Sequence, residues 1–416
     1  MNNTPSKNNV RSDSPFQANP VVVHIAPTPF FANRGCHIRI ENEIRAISSY
    51  PYRVVVVTYH HGRNPEGIDV RRIPSIAGYT KTEAGYSPFK FLADILLFFK
   101  VFSVCRNEKP IVLHGHLHEG ALIGWAVRSC LIRPKPALIL DMQGSLSGEL
   151  SAYGAFSGKR WVLRAFEWIE GRICRMADHV LCSSLNAFQC LERFTRGRVS
   201  AEILADMVPD RFFDEPDRLT LRRRLGIDVG KRVLIYTGGL LPAKGVNELI
   251  EAVRILLETH GDLVCILAGY PTDRVLEAAH RYGWAGRCRI PGEISYDVLS
   301  DWLGVADVAI DPKPDAGAQE ASGKIVHYMA SGLPVVCFDS PSNRALLGDA
   351  GFYADGAKGP LGLVRGVEKV FSDMEDAKQK GLLGKRRAQE IVSPGAVGKR
   401  LADVYHYLAK DRVGVS

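Results

Sequence analysis

The chain has 416 residues, 46% of them hydrophobic and 24% charged. That balance excludes a disordered protein and, at roughly 100 to 200 residues per domain, a single small module. No uncharged apolar run approaches the roughly 20 residues of a spanning helix, which argues against an integral membrane protein.

Residues 1–20 are polar, rich in Asn, Ser and Pro, and lack the apolar stretch of a signal peptide. They read as a disordered tail on a cytoplasmic protein. The nine cysteines are odd in number, scattered and without a C-x-x-C pair, so reduced, mostly buried thiols are expected. The formal charge of +8 is uneven: Lys and Arg outnumber Asp and Glu 25 to 15 in residues 1–200 and are outnumbered 28 to 30 in 201–416. A basic first half suits an anionic partner, whether phospholipid surface, phosphorylated acceptor or nucleic acid, and equally suits scattered solvated charge.

From Val21 onward, continuous β-branched runs alternate with segments of helical length. "VVVHI" at Val21, "RVVVVTY" at Arg53, "IVLH" at Ile111, "ALILD" at Ala137 and "HVLCSS" at His179 are apolar without alternation, as strands buried on both faces of a parallel sheet must be. Helices are expected over Cys36–Ser49, Glu119–Arg133 and Lys159–Met176. After Ala201–Leu204, "ADMVPDRFFDEPD" crowds Asp, Pro and Arg and marks a linker. The alternation restarts with "RVLIYTGG" at Arg232, "LVCILAGY" at Leu263, "DVAIDP" at Asp307 and "LPVVCFD" at Leu333. The expected organisation is a tail (1–20), a first lobe (21–205), a linker (206–217), a second lobe (218–395) and a last helix (396–416) free to return to the first lobe. Both lobes read as Rossmann-like, doubly wound α/β layers facing a central cleft.

Ligands of such sheets collect at the carboxyl ends of strands. The loop after the first strand opens a helix near Gly35, a candidate for admitting a ligand's phosphate or sugar to the backbone N–H groups or else a plain loop glycine; it lacks G-x-G-x-x-G, which weighs against a nicotinamide dehydrogenase. The third quoted strand ends in "LHGHLHEG", placing His114, His116 and His118 together. H-x-H-x-H invites a metal, but other strand ends offer few supporting His and Asp, so a catalytic or binding histidine is the preferred reading. "TGGLLPAKGVNELIEAV" and "PDAGAQEASGKIVHYMASGLPVV" each set a lysine beside a glycine at a helix entrance, where the helix dipole favours an anion. Lys244 and Lys324 could thus clamp a diphosphate. Ser322 is a plausible N-cap, with Gly323 leaving the first N–H groups open.

At these residues the sequence resembles the GT-B glycosyltransferases, in particular the large retaining family four, over roughly Val21 to Leu408. "YTGGLLPAKGVNELIEA" is similar to the family's glycine, basic residue, Lys-Gly segment, and "EASGKIVHYMASGLPVV" to its donor-site motif. The resemblance implies an acceptor site chiefly on the first lobe, a nucleotide-sugar site chiefly on the second, and neither cofactor nor metal. Lys244 would contact the donor phosphates together with Gly238 and Gly239. Glu320 would touch the transferred sugar, and the backbone at Ser322, Gly323 and Lys324 would hold the diphosphate. The family's acceptor-lobe histidine corresponds to His116 by strand end or to His118 by its neighbouring Glu119; alternation favours His116 as nearer the cleft mouth.

Three positions depart from the pattern. Gly239 stands where an arginine is often found, His327 replaces the second, ribose-binding glutamate, and Glu320 lies one residue closer than E-x7-E asks. The nucleotide is left open by these changes. The implied activity is transfer of a sugar from a nucleotide sugar to a glycan, lipid-linked or small-molecule hydroxyl. The alternatives are an epimerase or phosphorylase on the same fold, or a non-catalytic scaffold. Nucleic acid is not an expected partner. The aromatic, apolar segment Pro88–Cys105 reads as a core-facing helix or as a monotopic surface for anionic lipid.

Overall fold

The structure, a computed structural model, describes residues 19–31, 35–80, 88–148, 160–314 and 322–413. The expected tail, 1–20, lies almost entirely outside them. In the first lobe seven strands are parallel: β1 (Val21–Ala26), β2 (Arg53–Thr58), β3 (Asp69–Arg72), β4 (Val112–His116), β5 (Ala137–Met142), β6 (His179–Cys182) and β7 (Ala201–Ile203), in the order β3-β2-β1-β4-β5-β6-β7. Parallel pairing obliges each strand to cross over before the next. The described crossover helices are α1 (Gly35–Ile47), α2 (Phe89–Glu108), α3 (Leu117–Cys130), α4 (Arg160–Cys174) and α5 (Leu185–Thr195). Helices α2 to α5 pack side by side as one layer on one face of the sheet.

The second lobe repeats the scheme with β8 (Arg232–Thr237), β9 (Leu263–Ala268), β10 (Cys288–Gly292), β11 (Val308–Asp311), β12 (Val335–Phe338) and β13 (Gly351–Ala354), ordered β10-β9-β8-β11-β12-β13. Its helices are α6 (Arg218–Arg224), α7 (Val246–Thr259), α8 (Asp273–Arg281), α9 (Leu299–Gly304), α10 (Gly323–Ala330), α11 (Pro341–Leu347), α12 (Pro360–Ser372) and α13 (Met374–Ile391), followed by α14 (Pro394–Val413). Strand order reverses between β1 and β4 and between β8 and β11, which opens a crevice at the carboxyl ends there.

The two-residue period of a strand divides each core in two. Val23, Leu113 and Leu138 join α2 residues Leu97 and Val101. Their neighbours Val22, Val112 and Ile139 face the other way, onto Val397, Leu401 and Tyr405 of α14. The last helix therefore covers the first lobe's second face, beside α1. Gly398 makes that approach close: a Cβ there would lie 2.4 Å from the Ala46 carbonyl oxygen. Leu204 and Met207 belong to this first-lobe core, and Ala205, Val208 and Phe212 to the second-lobe core, so the crossing segment is packed into both lobes. Four strands are not among the apolar runs quoted above: β3, β7, β10 and β13. They are the four sheet edges.

Candidate functional site

β8 runs into Gly238 and Gly239. Gly238 has φ +130, in the region that favours glycine, and the Tyr236 hydroxyl donates to the Gly239 carbonyl at 2.7 Å. The turn Pro242–Lys244 follows, and Gly245 (φ +83) starts α7 so close to the loop after β11 that a Cβ would lie 2.0 Å from the Pro312 oxygen. β11 ends in Asp311, which is 1% exposed. Its Oδ1 is 3.0 Å from Lys324 Nζ and its Oδ2 accepts from Ser322 Oγ at 2.5 Å. Lys324 Nζ also stands 5.2 Å over the Tyr236 ring. A Cβ on Gly238 would touch Lys324 Cε at 3.1 Å, and one on Gly239 would lie 3.8 Å from Lys244 Cγ. Two loops far apart in sequence thus bring Gly238, Gly239, Lys244, Ser322, Gly323 and Lys324 to one place at the β8/β11 reversal.

Ser322 sits at the N-cap of α10 without making a side-chain cap bond; its hydroxyl is committed to Asp311 instead. The first N–H groups of α10 are left for another acceptor, at the end of the helix where the dipole favours negative charge. Glu320 lies outside the described residues. His327, on α10, is buried: its Nδ1 lies 2.6 Å from the Gly323 carbonyl and its Nε2 2.9 Å from the Tyr296 hydroxyl. With Nδ1–H donating, Nε2 accepts from Tyr296, whose oxygen is 3.2 Å from Asn42 Nδ2 of α1. Burial holds this imidazole below its usual pKa. In this conformation His327 links α10 to the first lobe, and both of its ring nitrogens are engaged.

On the first lobe, His116 ends β4 fully buried. Its Nδ1 is 2.9 Å from Asp141 Oδ2 and its Nε2 is 2.9 Å from His24 Nδ1. The Tyr405 hydroxyl, delivered by α14, lies 3.2 Å from His24 Nε2 and 2.8 Å from His114 Nδ1. One proton arrangement satisfies every contact. In it Asp141 accepts from His116, His116 from His24, His24 from Tyr405, and Tyr405 from His114. Burial, aided by the neighbouring histidines, pushes His24 and His114 well below their usual pKa.

Arg39 of α1 anchors the chain: its Nη2 is 2.7 Å from Asp141 Oδ1 and its Nη1 2.7 Å from Asp206 Oδ1. Burial alone would raise Asp141, but Arg39 and His116 hold its carboxyl well below the usual range. Glu43 goes the other way, raised chiefly by burial. Glu43, His114 and His116 offer ligand atoms within 4.8 Å of one another. The donor set suits a cation poorly, because the Arg39 guanidinium is 3.0 Å from Glu43 Oε1 and both His116 nitrogens are engaged.

His118 turns elsewhere, onto Glu170 at 3.2 Å. Burial would lower its pKa, but Cys174 and Glu170 outweigh that and raise it to about 10. Glu170 also accepts from the Leu146 and Ser147 backbone N–H groups, so the ion pair holds the segment after β5. His116 and His118 therefore do different work, and neither presents a free imidazole edge to the cleft. Gly35 is exposed at the start of α1, with nothing within 4 Å of where a Cβ would be. Between the lobes, a cavity of about 460 Å³ is lined by Ser183 and Asn186 from the first and by Asp311, Lys313, Ser322 and Ser340 from the second. Arg39, Asp141, Asp206, Tyr296 and Asp311 were not singled out from sequence. Asp141 and Asp311 each end a quoted apolar strand, which was the available signal.

Residues 231–373 match the family described as Glycosyl transferases group 1, and residues 34–189 the Glycosyl transferase 4-like domain. The chain is 26% identical over 257 residues to D-inositol 3-phosphate glycosyltransferase of Streptomyces avermitilis, which covers 57% of this chain and 53% of that protein. It spans about half the length of the first curated relatives it matches. Among solved structures, sucrose-phosphate synthase from Thermosynechococcus elongatus shares the fold with a TM-score of 0.77 at 14% identity, over 94% of this chain and 99% of that one. Anabaena HepE in complex with UDP and glucose does so with a TM-score of 0.73 at 15% identity, over 93% and 100%.

Proposed function

We propose that this chain, which belongs to the group 1 glycosyl transferases, moves a sugar with retention from a nucleotide-diphosphate sugar on its second lobe to an acceptor hydroxyl on its first. The observation that carries the reading is the convergence of Lys244, Lys324 and the α10 start on one crevice. Departure of the nucleotide leaves negative charge on the diphosphate. Fixed lysine charge and helix N–H groups aimed at that spot stabilise it without reorganising water. No resident metal is part of the proposal, since the two lysines supply the positive charge. HepE holds UDP, so UDP-sugars are the first donors to try.

The test is release of nucleoside diphosphate with and without acceptor. Transfer requires release that depends on the acceptor, whereas an epimerase gives none and a scaffold binds donor without turnover. Lys244→Ala should lower transfer roughly ten- to a hundredfold, the value of one charge-assisted phosphate contact, with the fold intact. Unchanged transfer in that variant would remove Lys244 from the site.

We also infer a peripheral position on the inner face of an anionic membrane, serving a lipid-linked or glycan acceptor in polysaccharide assembly. No described helix is long and apolar enough to cross a membrane. α2, however, exposes Phe91 (76%) and Phe99 (60%), with Leu92 and Ile95 between them, the kind of ridge that enters an interface. Flotation with anionic vesicles checks this, and a wild-type chain that stays in solution at low salt refutes it.

A further inference from the structure

Away from the cleft, α4 and the carboxyl end of α5 enclose a groove of about 540 Å³. Arg164, Arg172, Arg175, Arg193, Arg196 and Arg198 all line it, and Glu167 is the one carboxylate among its lining residues. The sequence makes the groove locally. Arg164 and Arg172 lie about two turns apart on α4, Arg175 follows its last residue, and Arg193 to Arg198 end α5 and begin the turn after it. Gly171 lets the helices close: a Cβ there would stand 2.8 Å from the Phe194 carbonyl oxygen, to which Arg175 Nη2 donates at 2.8 Å. Trp168 forms part of the wall, with the Arg172 guanidinium 5.8 Å from its ring.

Glu167 pairs with Arg193 at 3.3 Å. Arg164, Arg172, Arg196 and Arg198 have no carboxylate partner among the described residues. Arginines near a helix carboxyl end complement its dipole, but that dipole is worth about half a charge, and here the backbone N–H groups of Arg196 and Gly197 already bind the Glu192 carbonyl. Six guanidiniums around one hollow exceed what the helix end asks for. Their forked donors match phosphate oxygens.

The surroundings say where the phosphate comes from. Trp161 (75% exposed), Trp168 (65%) and Ile169 (45%) stand out from α4. α4 lies in the same outer layer as α2, with its exposed Phe91 and Phe99, and as α3, with Trp125. A soluble anion has no use for a collar of tryptophan and phenylalanine, whereas a bilayer offers phosphate and an apolar margin together. We propose that the α4–α5 arginine groove binds phosphate-bearing headgroups of an anionic bilayer, laying the outer helical layer of the first lobe on the membrane. This rests on the peripheral reading above and names the lipid chemistry it needs.

The test uses the full chain and vesicles of phosphatidylcholine, alone or with about 30% phosphatidylglycerol. Beside the wild type stand Arg164→Gln/Arg172→Gln/Arg196→Gln/Arg198→Gln and, separately, Phe91→Ser/Phe99→Ser, each first checked for a native circular dichroism spectrum. Each arginine withdrawn should weaken partitioning roughly fivefold, so the quadruple variant should bind anionic vesicles roughly several hundredfold less well. The Phe variant should keep its preference for anionic over neutral vesicles. If the wild type binds and the quadruple variant binds equally, the groove proposal fails and the peripheral reading stands. If the wild type binds neither vesicle, the peripheral reading fails with it. Calorimetric binding of inorganic pyrophosphate, lost in the quadruple variant while vesicles go unbound, would reassign the groove to a soluble anion and overturn the proposal.

Discussion

Lys324 is asked to do two things, and they can be separated. Its Nζ is 3.0 Å from Asp311 Oδ1 in a setting where the lysine side chain is 11% exposed and the aspartate 1%. Lys324→Met leaves Asp311 buried with the Ser322 hydroxyl as its principal remaining partner, which should cost about 3 to 5 kcal/mol, a large share of a domain's stability. Asp311→Asn strands the lysine instead, less severely because its tip can turn toward the cleft. Replacing both removes the unpaired charge altogether. The double variant should therefore be more stable than the sum of the singles predicts, by about 2 kcal/mol or more.

Donor binding should not recover with it. If Lys324 faces the diphosphate, the double variant still lacks one charge-assisted contact, worth about 1.5 to 3 kcal/mol, so its affinity for UDP should fall roughly ten- to a hundredfold. Guanidinium unfolding reads the first quantity and titration calorimetry with UDP the second. A double variant with wild-type UDP affinity would make Lys324 merely the counter-ion of Asp311. Strict additivity of the two stabilities would refute the ion pair itself.

Two other outcomes follow from the geometry. His118 has its pKa raised to about 10 against an ordinary 6.5, so its protonation stabilises the fold fully below about pH 6.5 and is lost as pH rises through about 10. Glu170, lowered by the same contact despite its burial, sets the acid side. The stability difference between wild type and His118→Gln, from guanidinium unfolding at several pH values, should shrink from neutral pH toward pH 10, and parallel curves would refute the pair. Gly269 has φ +151, and a Cβ there would lie 1.7 Å from the Gly238 carbonyl oxygen. Gly269→Ala should cost about 3 kcal/mol and disturb UDP binding together, whereas Gly239→Ala, with its nearest neighbour at 3.8 Å, should leave the thermal midpoint nearly unchanged.

The interior of both sheets was legible because strands covered on two faces by helices are mostly apolar, and the polar residues they carry, such as His24, His114 and Asp141, are hydrogen-bonded. β1, β2, β4, β5, β6, β8, β9, β11 and β12 all show as apolar runs. β3 reads Asp-Val-Arg-Arg and β10 Cys-Arg-Ile-Pro-Gly; as edges they are half open to solvent, and their side chains report the partner strand rather than a core. The convergence of the second-lobe lysines and glycines on one crevice was legible for a local reason. Lys244 lies in the turn between β8 and α7, and Ser322, Gly323 and Lys324 open α10, so a lysine beside a glycine at a helix entrance was a signal readable within a short window.

The first-lobe histidine was a different problem. Alternation counts outward from the apolar part of β4 and places His116 toward the mouth, and it does stand at the strand's end. What turns it inward is not local: His24 lies 92 residues before it, and the Tyr405 hydroxyl that completes the chain comes from α14, 381 residues after His24. No window of sequence contains these partners. Nor can they be dismissed as passive, since each ring nitrogen withdrawn from the network leaves a buried polar group unsatisfied at about 1 to 3 kcal/mol. For His116 to offer Nε2 to a substrate it must release His24, and to offer Nδ1 it must release Asp141, which Arg39 ties to Asp206 on the segment crossing between the lobes. Any contact of His116 with a substrate would therefore be coupled, through Asp141 and Arg39, to the segment that crosses between the lobes.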